Sequence, residues 1–113
     1  MKDDLVYLGH ILDCLNAIRD YLAGGRETFF QDRKTQKATL RELQELAESS
    51  QRLSSVLKDR YSEIPWRDMA GFRNVLVHDY LGLNLSRIWQ IIEHDLPPLR
   101  KVIEEVLGKN KEQ

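Results

Sequence analysis

Residues 3–23 read DDLVYLGHILDCLNAIRDYLA, and within them Leu5, Leu8, Ile11, Leu12, Leu15, Ile18 and Leu22 recur at steps of three and four. Those steps match the turn of an α-helix, so the seven side chains share one broad apolar stripe. The spacing predicts a single amphipathic helix over 3–23. Gly24-Gly25 ends it, because paired glycines favour left-handed or open backbone over further helix. A short helical piece carrying Phe29 and Phe30 follows.

The same period returns further along. Leu40, Leu43, Leu46, Ala47, Leu53, Val56 and Leu57 form a second stripe on a segment otherwise filled by Arg, Glu, Gln, Lys and Ser. This predicts a helix over 33–60, packed antiparallel on the first across a short connection. Pro65 sets the next boundary, since it pushes Ile64 out of the helical region and itself suits a first helical position. A helix over 65–79 follows, with Asp68 in its early turns, where a negative charge complements the helix dipole. Gly82 lies just beyond it. Asn84 is placed to cap a final helix in which Leu85, Ile88, Trp89, Ile92, Leu96, Leu99, Ile103 and Val106 keep the apolar phase. Pro97-Pro98 implies a kink or restart inside that helix. No strand-like alternation or internal repeat is present. The fold class is all-α, a four- to five-helix up-and-down bundle, with one domain over 1–108 and a flexible KNKEQ tail at 109–113.

Composition agrees with one domain. The chain has 113 residues, 42% hydrophobic and 31% charged, enough apolar material for one modest core. Its formal net charge of −1 excludes a molecule-wide basic field, so any contact with nucleic acid must come from a local patch. The densest basic stretch is Arg33, Lys34, Lys37 and Arg41, either a set of RNA backbone contacts or simply a solvated helix face. With one cysteine, Cys14, the chain has neither a disulfide nor a Cys-rich zinc site, and a reducing cytoplasm fits best. Cys14 lies among Leu12, Leu15 and Ile18, which favours a small core residue over a nucleophile. No signal peptide and no membrane-spanning run is visible, and no cofactor or metal site is expected.

One segment carries chemistry: Phe72-Arg73-Asn74-Val75-Leu76-Val77-His78-Asp79-Tyr80. On one straight helix Arg73 and Tyr80 share a face, while His78 points roughly 140° away from Arg73 at about 100° per residue. Convergence needs either an unwound helix near His78 or a second copy of the chain bringing its own motif opposite. RNA cleavage without metal uses the ribose 2′-hydroxyl as nucleophile, helped by a base, an acid and a cation near the developing phosphorane charge. Histidine, titrating near working pH, suits the first two roles. Arginine, always charged and forked, suits the third. Tyr80 can hydrogen-bond phosphate or stack on a base. The bland alternative is a capping histidine and an Arg–Tyr surface pair. His78-Asp79 and His94-Asp95 invite comparison with His-Asp metal phosphohydrolases, but His10 is the only other histidine, and that reading leaves Arg73 and Tyr80 unexplained. Trp89 falls on the apolar stripe and reads as core; Trp66 is open between core and dimer contact.

The string RNVLVHDY resembles the Arg-X4-His-X-Tyr signature of HepT-like toxins of the HEPN superfamily, including the polar residue after the arginine, here Asn74. Pro65-Trp66, Met69-Ala70-Gly71-Phe72, Trp89-Gln90-Ile91-Ile92 and Asp95-Leu96-Pro97 resemble the same family, over almost the whole chain. The resemblance implies a HEPN-type bundle and a metal-independent endoribonuclease acting as a homodimer, with Arg73 and His78 in the cleft and Asn74 and Tyr80 supporting. It also implies a partner, a minimal nucleotidyltransferase antitoxin of the MntA type, which adenylylates Tyr80. A non-catalytic HEPN module, binding RNA or nucleotides and serving as scaffold and substrate for that partner, is the alternative.

Overall fold

The computed structural model describes the backbone of residues 2–78 and 84–112, with side chains described for 3–72 and 84–109. Helix α1, Lys2–Tyr21, has Asp3 and Asp4 in its first turn and Arg19 in its last, each charge complementing the dipole end beside it. Its stripe buries Leu8, Ile11, Cys14, Leu15 and Ile18. At the glycine pair, Gly25 takes a φ of +91°, a left-handed conformation strained for any residue with a Cβ. The short α2, Gly25–Gln31, then drives Phe29 fully into the core.

Asp32 separates α2 from α3, Arg33–Gln51, by accepting from the Lys34 N–H and, at 2.6 Å, from the Thr35 hydroxyl. The Thr35 bond, more than any other influence, holds the Asp32 carboxyl below its ordinary range. Gln36 Nε2 donates to the Phe29 carbonyl at 2.8 Å and fixes α2 on α3.

Helices α1 and α3 pack against each other in descending register: His10 meets Ser49 and Cys14 meets Glu45, while Asp4, nearer the start of α1, meets Ser54 just beyond the end of α3. That register makes the pair antiparallel, as the two stripes predict. The predicted single helix over 33–60 is corrected, however. Helix α3 stops at Gln51, and a separate α4 runs over Ser55–Arg60. Ser54 causes the break. Its hydroxyl accepts from the Leu57 N–H and donates at 2.6 Å to the buried Asp4, which also takes the Ser54 N–H at 2.8 Å. A serine whose N–H and hydroxyl are both claimed by another helix is an N-cap, not a helix interior. Leu53 and Leu57 remain buried on either side, while Val56 is exposed.

Helix α5, Trp66–His78, follows Pro65, and its first turn closes when Met69 N–H donates to the Pro65 carbonyl at 3.0 Å. Trp66 is half-buried, its indole N–H donating to the Tyr61 carbonyl. Met69 and Phe72 are buried, and α5 packs on α3. Asn84 caps α6, Leu85–Gln90, by accepting from the Arg87 N–H.

A π-helical turn, Ile91–Asp95, connects α6 to α7, Leu96–Glu112. Pro97 and Pro98 explain it. Neither has an N–H to return to the preceding turn, and Leu96 N–H reaches five residues back to the Ile91 carbonyl. The restart predicted from the two prolines takes this form. Helix α7 packs on α1, with Leu99 and Ile103 fully buried and Arg100 Nη1 donating to Asn16 Oδ1 at 2.8 Å. It continues to Glu112, giving helical backbone where the sequence predicts a flexible tail. The chain is all-α. Among the described residues there is no strand, and no helix is long and apolar enough to cross a membrane.

Candidate active site

The conserved geometry of an α-helix fixes where the motif sits before any side chain is considered. Arg73, Asn74 and His78 occupy the last turns of α5, and the backbone from Arg73 to His78 is continuous helix. Their side chains, and Asp79 and Tyr80 entirely, lie outside the described residues. Along this helix Arg73 and His78 are five positions apart, which is roughly 140° around the helix axis. The unwinding considered near His78 does not begin before that residue.

Immediately N-terminal to the motif, α5 forms one wall of a cleft of about 620 Å³. Arg67, Asp68, Gly71 and Phe72 contribute from α5; Arg87 and Gln90 from α6; and Ile91, His94 and Asp95 from the π turn. Local sequence builds each wall. Pro65 starts α5 so that Met69 and Phe72 anchor it inward, which leaves Arg67 and Asp68 facing solvent. Asn84 starts α6 close enough that Arg87 lies in its first full turn, and the π turn brings both His94 and Asp95 to the cleft.

The charges in this cleft are mixed. Arg67 and Arg87 are exposed cations on opposite walls, suited to phosphate oxygens. Asp95 is half-buried, and burial first, then the negative Asp68, hold its carboxyl above the ordinary carboxylate range, while His94 acts the other way. His94 is exposed and lies 3.7 Å from Glu93, whose other oxygen accepts from the Trp89 indole N–H at 2.9 Å. Trp89 itself is half-buried, 5.4 Å from the Phe29 ring centroid and 6.2 Å from that of Phe30. It thus stiffens the α6 wall from behind, in line with its place on the apolar stripe.

The basic group Arg33, Lys34, Lys37 and Arg41 is exposed along α3, and none of the four lines the cleft. Arg41 instead lies 3.6 Å from Glu45. The cleft cations are Arg67 and Arg87, which the sequence alone does not single out. Their one signal is placement: each lies in the first turn of a helix whose start Pro65 or Asn84 marks.

Cys14 is buried, and burial, with the charges of Glu42 and Glu45, pushes its thiol up to about 12. Both effects disfavour the thiolate, in line with a small core residue. Among the described residues, the metal-ligating side chains that converge are His10, Cys14 and Glu45, not a His-Asp set around His94. His10 and Cys14 stand four residues apart on α1, a spacing visible in the sequence; Glu45 joins them only through the packing of α3.

The chain is thus an all-helical bundle in which Arg73 and His78 end α5 and two further arginines line the adjoining cleft. Comparison with known proteins makes the class specific. The family model for ribonuclease HepT-like proteins matches residues 11–106, and the chain belongs to that family. It is 34% identical over 112 residues to a protein of Caldanaerobacter subterraneus subsp. tengcongensis named "Putative RNase", covering 98% of this chain and 100% of that one. A Thermococcus cleftensis protein named "Probable ribonuclease HepT" is 33% identical over 104 residues, covering 88% of this chain and 92% of that one. A Methanocaldococcus jannaschii protein, "Gamma-glutamylcyclotransferase and putative RNase", is 33% identical over 115 residues, covering 97% of this chain. The chain spans 51% of that protein's length. No solved structure matches it significantly.

Proposed function

We propose that this protein is a metal-independent endoribonuclease, the toxin of a toxin–antitoxin pair, whose site is built from two copies of the Arg73–His78 motif. The observation that carries this reading is the position of the motif: in a chain of the ribonuclease HepT-like family, it ends the helix that walls a cleft bearing Arg67 and Arg87. Continuous helix from Arg73 to His78 favours a second copy as the source of convergence, since positions five residues apart fall on different faces of one helix.

In a symmetric homodimer two imidazoles and two guanidiniums would face one scissile phosphate. One His78 removes the 2′-hydroxyl proton as the oxygen attacks phosphorus. The bond to the 5′-oxygen breaks, and the second His78 returns a proton to that leaving oxygen. The products are a 2′,3′-cyclic phosphate and a 5′-hydroxyl end. Arg73 binds the non-bridging oxygens as negative charge grows there. Asn74 supports the site from the next position, and Tyr80 contacts the RNA. Arg67 and Arg87 hold flanking phosphates in the cleft, with Arg33, Lys34, Lys37 and Arg41 as a more distant backbone track.

The partner is a minimal nucleotidyltransferase antitoxin of the MntA type, working with the toxin in the cytoplasm. Transfer of an adenylyl group from ATP to the Tyr80 hydroxyl places bulk and negative phosphate where RNA phosphate must lie, so occlusion and repulsion both silence the enzyme.

The test is cleavage of total RNA by unmodified, metal-free protein beside its Arg73→Ala and His78→Ala variants. Each variant should lose at least about 100-fold in rate, the scale on which acid–base and charge-stabilising groups act. Fragments should persist in chelator and carry cyclic phosphate ends. Intact RNA in every lane, from protein whose Tyr80 is unmodified by mass spectrometry, would instead assign the chain as a non-catalytic binding scaffold.

A further inference from the structure

Away from the cleft, the antiparallel register of α1 and α3 brings three unlike ligands together. His10 and Cys14 share one face of α1, and Glu45 faces them from α3; their donor atoms all lie within 4.8 Å of one another. His10 Nε2 is 4.0 Å from Cys14 Sγ. The other ring nitrogen, Nδ1, is hydrogen-bonded to Ser49 Oγ on α3. That bond turns the ring so that Nε2 faces the sulfur, the arrangement by which a second partner orients a metal-binding imidazole. Cys14 is 1% exposed, while His10 is open to solvent, so the group has a closed floor and an accessible rim.

We propose that His10 Nε2, Cys14 Sγ and the Glu45 carboxylate form a binding site for a borderline-soft divalent cation of the zinc class. The donor set selects that class. Calcium and magnesium require a shell of oxygens, whereas one sulfur, one imidazole and one carboxylate suit a four-coordinate Zn²⁺ or Co²⁺. Ligands about 2.0–2.3 Å from a tetrahedral ion lie roughly 3.3–3.8 Å apart, so the group must close by about 1 Å. Glu45 can supply that movement, since its partner among the described residues is Arg41 in an exposed ion pair, a weak contact. A water molecule takes the fourth position. Binding exchanges one proton for the cation: the Cys14 S–H bond breaks, an S–metal bond forms, and the proton leaves to solvent. The carboxylates that add to burial in disfavouring the thiolate create the same negative field that attracts a dication. The bound ion would join α1 to α3 and stabilise the bundle. This site is independent of the ribonuclease reading.

Cobalt(II) supplies the direct test, added to the purified, metal-free full chain. The expected result is one ion per chain with a near-ultraviolet thiolate-to-cobalt band and the visible bands of a tetrahedral site, displaced by Zn²⁺, which raises Tm. Cys14→Ser and His10→Ala should lose the thiolate band and the Tm rise; His10 is exposed, so its variant keeps the fold even if a Cys14 variant does not. Ser49→Ala should keep the band and weaken binding by about 10–100-fold, as loss of an orienting partner does. A parent protein with no thiolate band, or an unchanged band in His10→Ala, would overturn the proposal.

Discussion

At the scale of single residues the cleft is an unequal balance of charges. Arg67 and Arg87 are solvated and cost little to hold there, but Asp95 is drawn partly out of water beside Asp68. Both effects disfavour its anion, so the folded chain binds this proton more tightly than the unfolded chain does. The stability that protonated Asp95 contributes is fully present below the unfolded carboxyl pKa of about 3.9 and is lost as pH rises through the raised folded value. Asp95→Asn carries no charge at any pH. It should therefore melt above the parent at pH 7, and the difference should vanish as pH falls below the ordinary carboxylate range. Thermal melts of both proteins across that window check this, and a gap that ignores pH would mean the carboxylate is not under strain.

The elements differ in what holds them. Helix α2 is too short to persist alone and is anchored chiefly by Phe29, fully buried, in edge contact with Phe30 at 5.5 Å and tilted against Trp89 at 5.4 Å. Phe29→Ala should cost about 3–5 kcal/mol, the usual range for an aromatic removed from a core. Because Trp89 belongs to the α6 wall of the cleft, a shift in its fluorescence in the same variant would report the cleft loosening with the core. Urea unfolding in a Trp66→Phe background, followed by Trp89 fluorescence and by far-ultraviolet circular dichroism, measures both. Legibility follows the same division. The long helices were readable because stripes such as Leu8, Ile11, Leu15 and Ile18 repeat over several turns. Pro97-Pro98 announced a restart, since a missing N–H is a property of the residue itself. The break at Ser54 was not readable: the stripe runs on through Leu53 and Leu57, and the residue that converts Ser54 into a cap is Asp4, on another helix.

Over the whole molecule, what the sequence withholds is whatever depends on two helices at once. RNVLVHDY is legible as a motif because its residues are neighbours in the chain. Arg67 and Arg87 meet across a cleft only after α5 and α6 are in place, and Glu45 reaches His10 and Cys14 only after α3 docks on α1. The Asp4–Ser54 contact belongs to this group, spanning 50 positions of chain. Removing it with Asp4→Ala strands the Ser54 donors and should cost about 1–3 kcal/mol in urea unfolding. Its consequence concerns the order in which the molecule opens. Helix α4 has six residues and cannot hold itself closed, so its backbone amides stay protected only while α1 is seated on α3. Hydrogen exchange over residues 55–60 thus becomes a gauge of that distant docking: in Asp4→Ala these amides should exchange first, while those of α7 keep their parent rates.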